Sequence, residues 1–114
     1  MQKAEATLTD QKLQKLKAKC NEIRISIIKM VFDAQSGHIG GSLGSTELLV
    51  SLYYHLMNHD PKNPHWEDRD RFILSKGHCT PVLYSVLADH GYFPKDDLKT
   101  FISDGFKKSL KRKT

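Results

Sequence analysis

The chain has 114 residues, with 18 lysines and arginines against 13 aspartates and glutamates, for a formal charge of +5; that length bounds it to one domain at most. Lys107, Lys108, Lys111, Arg112 and Lys113 crowd the C-terminal end, and setting them aside leaves 13 basic residues against 13 acidic ones. The body is therefore neutral and offers no basic face for nucleic acid or membrane. No apolar run is long enough to cross a bilayer, and no secretory leader precedes Cys20 and Cys79, which lack metal-ligand spacing; the expectation is a soluble protein with reduced cytosolic thiols.

In chain order, residues 1–8 are polar, and Thr9 can cap a helix whose first turn holds Asp10. Leu13, Leu16, Cys20, Ile23, Ile27, Met30 and Ala34 recur at steps of three and four, one seam of a helix. Ile28, Val31 and Phe32 widen that stripe and predict deeper burial towards its C-terminal end. The helix is expected to stop at Ser36-Gly37. Ser42 or Ser45 can cap a second helix with Leu48, Leu49, Leu52, Tyr53, Leu56 and Met57 on its apolar face. Asn58-His59-Asp60-Pro61 should end it, because proline disfavours helical geometry in the residue before it. After Pro64 and Trp66, the charged run Glu67–Arg71 leads into Phe72-Ile73-Leu74, which reads as a short buried strand of the parallel kind. Thr80 as cap, Pro81 in the first turn and Gly91 just past the end delimit a third helix. Val82, Leu83, Val86 and Leu87 form its apolar face. Pro94 opens a short turn running to Phe101. A strand apolar on both faces needs neighbours, and no convincing second strand is present; the rest of a sheet is expected to be missing.

Ser36–Gly44, Ser-Gly-His-Ile-Gly-Gly-Ser-Leu-Gly, holds four of the seven glycines and one histidine. It reads either as a close-packed helix connection or as a loop meeting a polar ligand, and no Gly-Lys-Ser/Thr follows to make it a P-loop. His38 stands at the mouth of a helix, where amide donors and the helix dipole gather. His78 follows the strand candidate and opens a helix, at the edge where α/β sheets bind ligands. Lys76 fits phosphate contact or, better, solvation of the loop. His55 and His59 lie four apart without a third ligand, and solvent exposure is the expected state of both. Asp68–Arg71 reads as a surface ion-pair cluster or a clamp on strand entry. Trp66 and Tyr53 are expected as core or interface anchors.

Together these stretches resemble the start of transketolase, most closely the separate N-terminal subunit of split transketolases. The residues that carry the likeness are 36–44, Asp-Pro-Lys-Asn-Pro at 60–64, Asp-Arg-Asp-Arg-Phe-Ile-Leu-Ser-Lys-Gly-His at 68–78, Leu-Tyr-Ser-Val-Leu-Ala at 83–88 and Gly-Tyr-Phe at 91–93. Deoxyxylulose phosphate synthase shares parts of the pattern. The resemblance implies an α/β fold, the N-terminal part of a doubly wound thiamine diphosphate-binding domain, this chain being mostly helical with one short strand. On that basis residues 1–101 are an incomplete diphosphate-binding domain and residues 102–114 a basic tail off the pattern, as a shifted reading frame or a secondary terminus would give.

The reaction implied is transfer of a two-carbon ketol unit from a ketose phosphate to an aldose phosphate, a step of cytoplasmic pentose phosphate metabolism. His38 is implied at the sugar's reacting carbons, as a catalytic and substrate-binding residue. His78 is implied as a catalytic residue that, with Gly77, meets the cofactor diphosphate. The family's proline after the first histidine is Ile39 here. Its later Gly-His-Pro motif is absent, as is the Gly-Asp-Gly motif that holds a divalent metal, Mg or Ca. The isolated chain is accordingly expected to lack cofactor affinity and turnover, and to work with a complementary transketolase subunit or as a homo-oligomer. Two rivals stand beside this reading: a small helical binding module, or non-catalytic partner subunit, docking through the seam of its first helix; and nonspecific attraction of nucleic acid by the basic tail.

Overall fold

The computed structural model describes residues 8–34 and 39–100, and of His78 and Thr100 the backbone alone. Helix α1 spans Asp10–Ala34. Its start is capped as expected, the Lys12 amide donating to Thr9 Oγ1 at 3.1 Å and the Leu13 amide to the Thr9 carbonyl at 2.9 Å. The three-four seam faces inward: Leu16, Cys20, Ile23, Ile27 and Met30 are buried, Ile27 completely. Burying a side chain of that size stabilises a fold by roughly 1.5–3 kcal/mol.

Helices α2, Gly40–Gly44, and α3, Thr46–Ser51, are nearly one element. The Leu43 amide bonds the Ile39 carbonyl, Ser45 that of Gly41 and Leu49 that of Ser45, so helical bonding runs through the Ser45 turn. Thr46 Oγ1 adds a bond to the Ser42 carbonyl at 3.0 Å. After Ser51 the coil widens into a π-helical turn, Leu52–Leu56, and Met57 leaves in extended geometry, its amide on the Leu52 carbonyl at 2.7 Å. A 3-10 turn, Gly77–Cys79, opens α4, Thr80–His90. Helix α4 ends in a Schellman cap: Gly91 takes φ +92°, its amide bonds the Ala88 carbonyl and the Tyr92 amide that of Leu87, both at 3.0 Å. A last 3-10 turn covers Lys95–Thr100. Helix α1 lies against both α3 and α4. The core joins its seam to Leu49, Val50, Tyr53 and Met57 on one side and Val82, Val86, Leu87 and Phe93 on the other.

Several expectations change. Phe72-Ile73-Leu74 forms no strand, because no ladder partner reaches it among the described residues, and Ile73 is 85% exposed. Stripe widening holds for Val31 but fails for Ile28 and Phe32, which stand 47% and 75% exposed, because α3 and α4 cover only the narrow seam. With that seam inside the chain's own core, it is not a docking face for another protein. Ser45 stands at the N-cap position of α3, but the side chains of Ser42 and Ser45 make no capping bond, since helical geometry already begins at Gly40. Leu48 and Leu56 point outward and Val50 takes a core position instead. Thr80 is the first residue of α4 and Cys79 occupies its cap. Cys20 and Cys79 are free and buried. No helix is long and apolar enough to cross a membrane among the described residues.

Candidate functional site

The two Gly-His stretches end at one place. Helix α2, just beyond the first, packs against the Gly77–Cys79 turn of the second and against the start of α4. His38 lies outside the described residues; His78 is placed by its backbone in the 3-10 turn. Ser42, Thr46, Cys79 and Val82 are completely buried at this junction. The Ser42 hydroxyl finds no hydrogen-bond partner among the described residues.

A methyl group added at Gly40, Gly44 or Gly77 would meet nothing within 4 Å, and among the described residues Gly91 alone has positive φ. Neither packing nor backbone geometry among the described residues demands glycine at 40, 44 and 77. What those glycines leave is open space beside the start of α4. The dipole at the start of α4 suits an anionic group, while the Cys79 and Thr80 amides there are already bonded to the Lys76 and Gly77 carbonyls and Pro81 has none. For a metal the donors are lacking: no three His, Cys, Asp or Glu side chains gather among the described residues.

A second polar cluster was not legible beforehand. His59 is 4% exposed, against the exposure expected of it. Its Nε2 lies 2.6 Å from the Tyr53 carbonyl, which can only accept, so Nε2 carries the proton. In the neutral ring Nδ1 then accepts from the Tyr92 hydroxyl at 2.6 Å. The physical reason for the burial is the π turn. Continued π bonding would bring the Asn58 amide to the Tyr53 carbonyl, but that amide donates to Asp70 Oδ2 at 2.7 Å instead. His59 takes the carbonyl left over. Its ring meets Tyr53 and His90 edge-on, with centroids 5.1 and 4.8 Å away. His55 is half-buried.

Beside this cluster, the Tyr54 hydroxyl donates to Asp89. Lys19 Nζ lies 3.0 Å from one Asp89 oxygen and Lys95 Nζ 3.1 Å from the other. Burial works to raise the Asp89 pKa, but the bonds from Tyr54, Lys19 and Lys95 outweigh it and hold the carboxyl down at about 2. Burial, then the hydrogen bond and negative charge of Asp89, pushes the Tyr54 phenol up. Burial and the neighbouring Tyr92 take Tyr53 up to about 12. Both phenols stay protonated over the working pH range, and that of Tyr54 donates to Asp89.

The Asp68–Arg71 run makes no ion pairs among the described residues. Asp70 closes the clamp that was its other reading: its amide donates to the Asn58 carbonyl at 2.7 Å while its carboxylate takes the Asn58 amide. Arg69 turns back onto the Trp66 carbonyl at 2.7 Å. Between the His59 cluster and this run lies a cavity of about 270 Å³, walled by Tyr53, Met57, Arg69, Phe72, Leu83 and Leu87. Tyr53 is a core anchor; Trp66 is half-buried.

Comparison with known proteins places the chain in a family. A family model described as transketolase, thiamine diphosphate binding domain, matches residues 15–108. The chain belongs to that family. It is 46% identical over 90 residues to the 6-deoxy-6-sulfo-D-fructose transketolase subunit SqwG of Clostridium sp. (strain MSTE9), covering 79% of this chain and 33% of that one. Mouse transketolase (Mus musculus) is 44% identical over 91 residues, 77% of this chain and 14% of its own. A transketolase of Buchnera aphidicola subsp. Baizongia pistaciae (strain Bp) is 48% identical over 82 residues, 71% of this chain and 12% of its own. The chain thus spans a third or less of the length of these relatives.

Proposed function

We propose that this chain contributes the first part of a transketolase active site, transferring a two-carbon ketol unit from a ketose phosphate to an aldose phosphate in the cytoplasm. The family match over residues 15–108 carries this reading. Its geometric support is the packing of α2 on the Gly77–Cys79 turn, which brings the ends of both Gly-His stretches to one edge beside open space. In this reading Gly77 and His78 face the cofactor diphosphate, and His38 binds the sugar and moves protons at its hydroxyls. Thiamine diphosphate, when bound, supplies the nucleophilic carbon and the electron sink for cleaving the ketose. Mg or Ca on the diphosphate would take its ligands, and the doubly wound sheet its strands, from outside the described residues. The partner is a complementary transketolase subunit or a second copy, and SqwG, a subunit by its name, supports the former.

The test is ketol transfer from xylulose 5-phosphate, or from 6-deoxy-6-sulfo-D-fructose, to an aldose phosphate, with thiamine diphosphate and Mg or Ca present. The chain alone is expected to be inactive and to give no heat with thiamine diphosphate in calorimetry. Mixed with the unmatched remainder of the Clostridium subunit, it is expected to turn over, and His38→Ala and His78→Ala to lower the rate by about 10²–10⁴-fold. Turnover by the chain alone, or an active mixture indifferent to both substitutions, would overturn the reading.

A further inference from the structure

Glu22, Ser26, Lys29 and Asp33 recur along α1 at steps of four, three and four, so one stripe of the helix carries all of them. Across from that stripe stand Ser85 and Asp89 of α4 and Lys95 and Lys99 of the last 3-10 turn, and the three elements flank a cavity of about 390 Å³. Ile25, 56% exposed, Met30 and Leu98 supply apolar wall. At its floor the Ser26 hydroxyl donates to Ser85 Oγ at 3.2 Å. Ser85 is 2% exposed, and its own proton has no acceptor among the described residues. A buried donor left open costs a fold stability until something accepts from it. Three of the lining residues are acidic and three basic, so the cavity has no net formal charge. Most of these charges are already matched. Lys19 pairs with Glu22 at 2.7 Å and with Asp89 at 3.0 Å, Lys95 takes the other Asp89 oxygen at 3.1 Å, and Lys99 lies 3.9 Å from Asp96. Lys29 and Asp33, one turn apart at the mouth, make no ion pair among the described residues.

We propose that this cavity binds a small zwitterion with an apolar side chain, an aliphatic α-amino acid, through Lys29, Asp33 and Ser85. Lys29 meets the carboxylate and Asp33 the ammonium. The Ser85 hydroxyl donates to the carboxylate, and the ligand's side chain lies along Ile25, Met30 and Leu98. A ligand of one charge meets as much repulsion as attraction across a neutral cavity, and a wholly apolar one leaves the Ser85 proton open. The volume agrees, since pockets for small molecules begin at about 300 Å³. No residue of α2 or of the Gly77–Cys79 turn lines this cavity, so the site is separate from the junction of the two Gly-His stretches and independent of ketol transfer.

The experiment is a nuclear magnetic resonance titration of the full chain with L-leucine. Isocaproate, which lacks the ammonium, and isoamylamine, which lacks the carboxylate, are titrated in parallel. Leucine is expected to shift the amides of the cavity's lining residues and to saturate with a dissociation constant of about 1 mM, because exposed charges attract weakly. Each analogue binds at least about tenfold more weakly, since it leaves Lys29 or Asp33 unmet. Lys29→Met, Asp33→Asn and Ser85→Ala each weaken leucine at least about tenfold while the free chain melts as before. Lys29 and Asp33 are exposed, so their variants fold and carry the test even where Ser85→Ala does not. No saturable shift at about 20 mM leucine, roughly twentyfold above the expected constant, would overturn the proposal. So would shifts centred away from the cavity, or exposed-site variants that bind like the parent. Isocaproate equal to leucine would make this an anion site, and isoamylamine equal to leucine a cation site; either refutes the zwitterion.

Discussion

Asp89→Asn is the sharpest test of what holds α4 to the rest of the molecule. The Asp89 carboxylate is 18% exposed and gathers Tyr54, Lys19 and Lys95, all three from other elements. Its pKa falls from the ordinary 3.8 to about 2 in the folded chain. Each unit of such a shift is worth about 1.4 kcal/mol, so the ionised form contributes about 2 kcal/mol to folding. Because the folded value is depressed, that contribution is complete above pH 4 and disappears as the pH falls towards 2. Asparagine keeps an acceptor for Tyr54 but gives Lys19 and Lys95 no charge to meet. The variant should lose about 2 kcal/mol at pH 7, which for a domain of this size lowers the melting temperature by about 10 °C. Urea unfolding followed by circular dichroism, repeated from pH 7 to pH 2, measures both quantities. The gap between parent and variant should close between pH 4 and pH 2. A loss under about 0.5 kcal/mol at pH 7, or two stability curves that stay parallel through the acid range, would refute the reasoning.

Two further substitutions probe the caps. His59→Leu strands the Tyr53 carbonyl and the Tyr92 hydroxyl in a buried place, and should cost about 2–4 kcal/mol by the same unfolding measurement. Gly91→Ala meets no steric neighbour but forces a side chain into φ +92°, and should cost about 1 kcal/mol; an unchanged midpoint would mean the Schellman cap relaxes without loss.

Legibility followed the range of the interaction. Helix α1 was readable because its seam repeats through the whole element, and so was the end of α4, where Pro81 and Gly91 act on their immediate neighbours. Phe32 was misjudged because periodicity reports a face, not the width of what covers it. The π turn has no sequence mark: one additional residue between Ser51 and Met57 changes which carbonyl is left over, and only Tyr92, far along the chain, makes His59 a buried acceptor. Phe72-Ile73-Leu74 has the composition of a strand, yet a strand is a property of two segments and the described residues contain one. In the same way the Gly-His steps were visible as motifs, while the packing that brings α2 onto the Gly77–Cys79 turn depends on Ser42, Thr46 and Val82 being buried together.

The reciprocal bonds between Asn58 and Asp70 have a consequence for how this chain can vary. They fasten the two ends of the connection that contains Pro61, Pro64 and Trp66, so the span between them behaves as a closed ring hung on the fold. The helix exit and the start of the extended segment Arg71–Ser75 are then held by the fastening, whatever the ring's contour. Lengthening such a ring is cheap, about 0.6 kcal/mol for each doubling. The connection is therefore where insertions can accumulate while the spacing between α3 and the Arg71–Ser75 segment stays constant.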